Sequence, residues 1–544
     1  MKIWSPMKPL LLLLLALTTA GVAADPETSL TGAAAEVRPP DELMLALGTA
    51  SFQDKEILVT QLAASGDARV PVLLQALLDG TLYRDATTGA IVAIPADGAP
   101  TPLASATPTT DAPRKEDLRK ITVNNSLRSQ LRVLIAATQL QNPDPAVRRQ
   151  AARTLTGTAR TALLPLLDRA LAAETDAGAR AALANAQASL NLASPDAATR
   201  AAAVAALAET SDKTILTLLE QQAGIETDSS VKASLARAIA KLQKREKVFA
   251  FASDLFFGLS LGSVLLLAAV GLAITFGVMG VINMAHGEMI MLGAYTTYVV
   301  QLLMPNHIEY SLAVAVPAAF VVTALVGIAI ERSVIRFLYG RPLETLLATF
   351  GISLVLQQLV RTIFSPLNKS VTTPQWLSGS WEINGMLSLT YNRLYIVLFA
   401  LAVLAGLILL LRKTPIGLQM RAVTQNRAMA SSMGIRTGWV DALTFGLGSG
   451  IAGIAGVALS QLTNVGPNLG QSYIIDSFLV VVFGGVGNLL GTFVAAMSLG
   501  VVNKFAEPLV GAVLAKILIL VFVILFIQRR PRGLFALKGR FVES

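Results

Sequence analysis

Between Val281 and Glu288 an otherwise apolar run is interrupted by Asn283, His286, Gly287 and Glu288. Amide and ionisable groups are expensive at membrane depth. Such a cluster is expected to face a cavity or the interior of a helix bundle, where it could border a path for a solute. A second island, Phe483-Gly-Gly-Val-Gly-Asn-Leu-Leu-Gly491, supplies Gly484, Gly485, Gly487 and Asn488. Its glycines permit a broken helix of the kind that lines transport pathways. For both islands an interfacial turn is the competing reading. Lys516 reads as a side chain snorkelling from the last span to the interface.

Other chemistries fail on residue types. The chain has no cysteine and two histidines, which excludes disulfides and thiolate sites and leaves too few ligands for the usual histidine-based metal site. Ser449-Gly450 lacks the first glycine of a G-x-S-G nucleophile motif, because Leu447 stands there, and His286 and His307 lie far upstream. His286-Gly-Glu288 does not make H-E-x-x-H, and no G-x-x-x-x-G-K-[ST] loop is present. If the chain takes part in ATP-driven work, hydrolysis must therefore occur on a partner.

The segment Arg412 to Arg436 carries Arg412, Lys413, Arg421, Arg427 and Arg436, with no acidic residue, between two long apolar stretches. Lys and Arg resist translocation, so it is expected in the cytoplasm. Asn426 as N-cap, Ala428, Met429 and Met433 at helical spacing, and Gly434 at the end predict one short helix. A cytoplasmic helix among membrane spans suits force transfer from a soluble partner; an ordinary basic loop is the plainer alternative.

These stretches need a membrane scaffold, and composition supplies one. Of 544 residues 53% are hydrophobic and 15% charged, which is the profile of a multi-span membrane protein. The net charge of +9 fits basic cytoplasmic loops. No basic face interleaved with aromatics points to nucleic acid. The fold class expected is all-α: a polytopic bundle of about eight or nine spans behind an exported helical domain.

Lys2 and Lys8, the apolar run Leu10 to Leu17 and Val22-Ala23-Ala24 have the form of a signal peptide over residues 1–24. Residues 25–246 follow as an exported, alanine-rich helical segment. Four stretches align on Asp144, Asp176, Asp196 and Asp228, each placed to cap a helix, with Arg148, Arg180, Arg200 and Lys232 four positions later. Spacings of 32, 20 and 32 residues make a larger unit of 52, similar to HEAT-type repeats. Within an insertion near 81–120, Leu82-Tyr-Arg and Ala90 to Ile94 predict a hairpin around Gly89, followed by a mobile loop from Pro95 to Pro113.

The membrane domain is placed at 247–544, with spans near 254–277, 288–304, 311–331, 344–364, 394–411, 440–461, 473–484, 489–505 and 511–528. An exported N-terminal domain and an odd number of crossings leave the C-terminus in the cytoplasm. The basic loops 332–343 and 412–438, and the tail with Arg529, Arg530, Arg532, Lys538 and Arg540, then all fall inside. The glycine and alanine pairs Gly258/Gly262, Gly446/Gly450 and Ala452/Gly456 predict close helix packing.

Asn283-Met-Ala-His-Gly-Glu288, Gly340-Arg-Pro-Leu343, the loop Gly417 to Gly434, Phe483-Gly-Gly-Val-Gly487 and Arg530-Pro-Arg-Gly-Leu-Phe535 resemble the high-affinity branched-chain amino-acid ABC-transporter permeases over residues 250–540. With its secreted helical domain, the chain is most similar to the permease subunit of urea ABC transporters. The resemblance implies an importer in a bacterial inner membrane, with a periplasmic N-terminal domain. It implies a second permease subunit, two cytoplasmic ATPases that bind ATP and magnesium, and a periplasmic solute-binding protein. By the same resemblance, the loop with Arg412, Lys413, Gly417, Arg421, Asn426, Arg427, Gly434 and Arg436 is the ATPase-coupling loop. No cofactor is expected on this chain. Urea is the expected solute and a branched-chain amino acid the alternative; a secondary transporter or channel, or a membrane anchor for the repeats, are readings of another class.

Overall fold

The computed structural model describes residues 39–94, 101–104, 117–158 and 161–535. The expected signal peptide, Lys538 and Arg540, and most of the Pro95–Pro113 loop lie outside those residues. Two compact units divide the chain, Met1–Leu190 and Asn191–Ser544.

In the first unit, α1 (Pro40–Leu47), α2 (Phe52–Ser65) and α3 (Val70–Asp79) precede a small sheet, and α4 (Asn125–Gln139), α5 (Pro145–Leu155), α6 (Leu164–Ala173) and α7 (Ala177–Asn191) follow it. Leu47, Leu62, Leu73, Leu77, Leu82, Ile91 and Leu131 fill one core. The predicted hairpin forms from β1 (Leu82–Asp85) and β2 (Ile91–Ala93), with Leu82 opposite Ala93. Its turn is set by Gly89 at φ 73° and by Asp85, whose carboxylate accepts the Thr87 amide at 2.8 Å. The hairpin is, however, the centre of a four-stranded sheet of order β3-β2-β1-β4, because β3 (Thr101–Ala104) and β4 (Leu118–Lys120) add to its edges. Residues 101–104 were expected in the mobile loop. They form a strand because Leu103 and Ala104 are buried, and Pro102, which has no N–H to donate, is tolerated at a sheet edge.

The aspartates at the repeat positions all cap helices. Asp144 accepts from Ala146, Asp176 from Ala179, Asp196 from Ala198 and Thr199, and Asp228 from Ser230 and Val231. A second repeated device accompanies them. Arg148 forks onto Glu174 at 2.6 and 2.7 Å while its other nitrogen reaches the carbonyls of Asn142 and Pro143. In the second unit Arg200 forks onto Glu226 at 2.9 Å and reaches Ser194 and Pro195 in the same way.

The second unit begins with α8 (Ala197–Leu207) and α9 (Lys213–Ile225), then enters α10 (Ser229–Met279), a single 51-residue helix. The domain boundary expected at 246–247 falls inside this unbroken helix. The chain turns from polar to apolar there, but Lys244, Arg245, Glu246, Lys247, Val248 and Phe249 contain no helix breaker. Val231, Leu235, Ala238 and Leu242 form its buried stripe before the span. Then come α11 (His286–Leu303), α12 (Ile308–Ser333), α13 (Pro342–Phe364), the hairpin β5 (Ser380–Asn384) and β6 (Leu387–Thr390), α14 (Tyr391–Lys413), α15 (Pro415–Gln425), α16 (Arg427–Ser432), α17 (Thr437–Ser460), α18 (Gln471–Gly484), α19 (Leu489–Val510) and α20 (Ala512–Arg529).

Helices stand at all nine expected span positions, and seven among the described residues are long and apolar enough to cross a membrane. The two that fall short are α11, where His286, Glu288 and Gln301 dilute the apolar run, and α18, whose 14 residues reach about 21 Å against roughly 30 Å of hydrocarbon. The protein is a mostly helical, polytopic bundle.

At its centre lie α10 and α17. In the most apolar window of each, 83% is buried, against 11% for α20. Small residues make that possible. Gly448 of α17 meets Gly271 of α10 backbone to backbone, Gly453 meets Gly293 of α11, and Gly446 and Gly450 receive Ile328 and Phe320 of α12. Gly258 and Gly262 of α10 lie against Val501 and Gly500 of α19. The expected packing role of the glycine pairs is borne out.

Two outcomes follow from this packing and pairing. A Cβ at Gly456 would overlap the Ile290 carbonyl of α11, so Gly456→Ala should lower the stability of the detergent-purified chain by about 1–3 kcal/mol, measurable as a fall in melting temperature. The Arg forks and two backbone N–H groups hold Glu174 and Glu226 down at about 2, from an ordinary 4.5. Their stabilisation is complete above pH 4.5 and is lost as pH falls towards 2. Hydrogen exchange at residues 174–180 and 226–232 should accelerate across that window, and Glu226→Gln should flatten the response of the second segment only.

Candidate functional site

Asn283, His286, Gly287 and Glu288 sit where α10 gives way to α11. Asn283 is 2% exposed; its side-chain oxygen accepts the Ala285 amide at 3.0 Å while its NH2 has no partner. His286 is wholly buried, with Nε2 2.9 Å from the Ala268 carbonyl of α10. Gly287 lies against the backbone of Gly470, where a side chain would collide. Glu288 is 1% exposed. Its Oε1 accepts from Ser353 Oγ at 2.9 Å and Gln357 Nε2 at 2.7 Å, whereas Oε2 has no partner.

Ser353 and Gln357 belong to α13, which reasoning from sequence passed over. Thr345, Thr349, Ser353, Gln357 and Arg361 recur every four residues along it and so share one face. The first four are buried, while Leu347, Phe350, Leu354, Leu359 and Ile363 on the other side are exposed. Thr349 Oγ1 accepts the Met284 amide at 3.1 Å, and Arg361 donates to Asn468 at 2.8 Å. The ladder's 16-residue register covers about 24 Å of helix axis, most of the thickness of a bilayer core. Its signal was the i, i+4 recurrence of polar residues in an apolar helix.

The second island is placed differently. Gly484, Gly485, Gly487 and Asn488 make the turn from α18 to α19, with Gly485 at φ 104° and Gly487 at φ 79°. Asn488 caps α19 through the amides of Leu490 and Gly491, both at 3.1 Å. The segment Arg530–Phe535 docks there: Leu534 N donates to the Phe483 carbonyl at 2.9 Å, and Phe535 N to Gly484 at 3.2 Å. A Cβ at Gly485 would meet the Phe535 carbonyl, so these glycines give the C-terminal segment its seat. Nothing among their contacts joins the cluster around Glu288. Lys516 is not merely snorkelling, since its Nζ pairs with Asp476 at 3.3 Å.

The basic segment holds two helices where one was expected. Gly417 lets α15 fold back tightly on Leu411, Thr414 caps it through the Gly417 amide at 3.3 Å, and Arg421 hydrogen-bonds the Leu411 carbonyl. Asn426 caps α16 through Met429 N at 2.9 Å, and Gly434 at φ 85° leads out, as predicted. Arg412, Lys413, Arg421 and Arg436 are exposed. Arg427, itself partly exposed, forms a two-pronged salt bridge to Asp441 in the second turn of α17, and it lies 4.5 Å over the Tyr339 ring. Asp441 is 0% exposed. Beside it Arg332 stacks on Trp439 at 4.3 Å and lies 3.7 Å from the buried Glu331. Met429 on α16 and Met433, which caps its end, are exposed. Among the described residues no group of three or more His, Cys, Asp or Glu side chains converges as a metal site.

Residues 255–527 match the family model described as the branched-chain amino acid transport system permease component. The chain belongs to this family. It is 30% identical over 301 residues to the high-affinity branched-chain amino acid permease LivH of Salmonella typhimurium, covering 53% of this chain and 96% of the relative. It is 28% identical over 297 residues to BraD of Pseudomonas aeruginosa, with the same two coverages. Against the probable LivH of Methanocaldococcus jannaschii it is 26% identical over 291 residues, 50% of this chain and 88% of the relative. No solved structure matches. A permease of this family is a membrane subunit and not an enzyme; it works with ATPase and solute-binding components carried on other chains.

Removing Arg427 would leave Asp441 buried without its partner. Because the Arg427 side chain is 44% exposed, the expected cost is about 1–3 kcal/mol, below that of a fully buried pair. Arg427→Ala should therefore lower the melting temperature clearly, Arg436→Ala hardly at all, and Asp441→Asn in the Arg427→Ala background should recover part of the loss.

Proposed function

We propose that this chain is one of two permease subunits of an ATP-driven importer, and that its α15–α16 segment is the element on which a cytoplasmic ATPase acts. One observation carries the reading: a short helix in a basic segment is locked to the central helix through Arg427 and Asp441, while Met429 on that helix and Met433 at its cap stand open to a partner. A push on α16 is thereby applied to α17, against which α10, α11 and α12 pack by direct backbone contact. Nucleotide-dependent contacts at that surface can then bias the bundle between two states, as any driven transition requires.

The orientation that goes with this reading has the α15–α16 segment inside and the β5–β6 hairpin outside. Basic residues favour the first. The pairing of Asp212, between α8 and α9, with Gly385 at the hairpin tip supports putting α8 and α9 on the hairpin's side, which in this reading is the periplasmic side of a bacterial inner membrane. The helical repeats, similar to the HEAT type, are read as a docking or spacer element.

A branched-chain amino acid is the better supported solute, because that is what the names of the matched relatives state. Urea stays as a second reading on one specific observation: the family match begins at residue 255 and leaves the N-terminal repeats outside it. Co-reconstitution with its second permease, two ATPases and solute-binding protein should give uptake that needs ATP and stops when the ATPase phosphate-loop lysine is replaced. Labelled leucine should enter faster than labelled urea. Uptake without ATPases would mean a secondary transporter or channel instead.

A further inference from the structure

We infer that the Glu288 cluster and the polar ladder of α13 form a recognition point for a small solute that carries both N–H donors and a carbonyl or carboxylate oxygen. The inference rests on the permease reading and names the chemistry that its path would hold. Four polar atoms between residues 283 and 295 are buried without partners: the Asn283 NH2, His286 Nδ1, Glu288 Oε2 and the Tyr295 hydroxyl; the imidazole donates through Nε2 to the Ala268 carbonyl of α10, which leaves Nδ1 as an acceptor. Buried polar atoms are nearly always satisfied, and each orphan costs about 1–3 kcal/mol. Glu288 and Tyr295 are seven residues apart on α11 and therefore share a face. That face is turned to α13, since Glu288 bonds Ser353 and Gln357 there and the Tyr295 ring packs at a tilt against Phe364 with ring centroids 4.7 Å apart.

The free set is complementary to a definite ligand. Glu288 Oε2 can only accept from N–H, the Asn283 NH2 can only donate to oxygen, and the tyrosine hydroxyl can do either. Helix ends cannot explain the orphans, because the Asn283 oxygen already supplies the local turn bond. Nor is Glu288 balanced as a structural charge: Arg361, two turns beyond Ser353, spends a guanidinium nitrogen on Asn468, and Oε2 stays open. The face is closed in this conformation, with Gly287 pressed on Gly470, so access requires α11 and the start of α18 to part.

An α-amino acid and urea both present N–H donors with an oxygen acceptor, and the carboxylate separates them. It gives an ammonium group a counter-charge but gives an amide N–H only an acceptor, which a glutamine oxygen would also provide. In the reconstituted complex Glu288→Ala should cut uptake of the transported solute roughly tenfold or more. Glu288→Gln should cut leucine uptake comparably yet leave urea uptake within about threefold. The chain contains no cysteine, so Ser353→Cys adds a single thiol to the ladder and Leu354→Cys a comparator on the exposed side of α13. Solute should slow maleimide labelling at 353 and leave 354 unchanged. A complex that assembles with Glu288→Ala and transports at the wild-type rate overturns the site, and so does labelling at 353 that no solute slows. If the wild-type complex carries neither solute, the transport reading itself fails, and thiol protection by leucine or urea then decides the site alone. Where Glu288→Ala does not assemble, the same protection measurement decides.

Discussion

Backbone-to-backbone approach along α17 is the constraint on which the rest of the structure depends. In lipid there is no water to expel between helices, so a bundle is held by contact alone. The glycines at 448, 453 and 456 bring α17 against Gly271 of α10, Gly293 and Ile290 of α11 and the Ala319 carbonyl of α12 with no side chain between them. Three neighbouring helices thus share one central rod, and whatever moves it moves all of them. The Arg427–Asp441 pair matters for this reason: it fastens a short helix of the basic segment to the element that α10, α11 and α12 all touch.

Polar groups are distributed with equal economy. The bundle contains few buried charges, and they fall into two sets with different character. Around Asp441 the charges are ion-paired, stacked on rings and close to the helix ends, although Glu331 Oε2, Arg332 Nη2 and the Tyr339 hydroxyl lack hydrogen-bond partners. Around Glu288 the set is only half satisfied, and it continues into a ladder of threonine, serine and glutamine. A partly satisfied buried network is a poor way to stabilise a core, which is why it reads as a place where something else completes the bonding.

Elements whose signals are local were legible in the sequence. Asp144, Asp176, Asp196 and Asp228 announce helix starts, Gly89 announces a turn, Asn426 announces α16, and apolar runs mark every span position. What depends on distant partners was not legible. Strands β3 and β4 are too short to read until the hairpin offers them edges. Helix α15 buries little beyond Gly417, Met420 and Val423, too few positions to stand out in a basic loop. The partners Asp441 for Arg427 and Asp476 for Lys516 emerge only when helices are side by side. The Glu288 island was visible, but its opposing wall was not: single threonines and serines are ordinary in membrane helices, and only their common period on α13 distinguishes them. The glycines at 484–487 signal a break correctly, while their purpose depends on a C-terminal segment far along the chain.

The unbroken α10 has a mechanical corollary. Its 51 residues make a rod of about 77 Å, less than half of which is needed inside a bilayer. A lean of ten degrees in the buried portion would carry the opposite extremity through roughly 13 Å by simple leverage. The loop between α8 and α9, which packs against Lys241 and Arg245 partway along that rod, is stitched at Asp212 to the tip of the β5–β6 hairpin, and the hairpin runs straight into α14. The first crossing therefore cannot pivot alone: it must tear the stitch or take the top of α14 with it, so two helices remote in the chain are geared together outside the hydrocarbon.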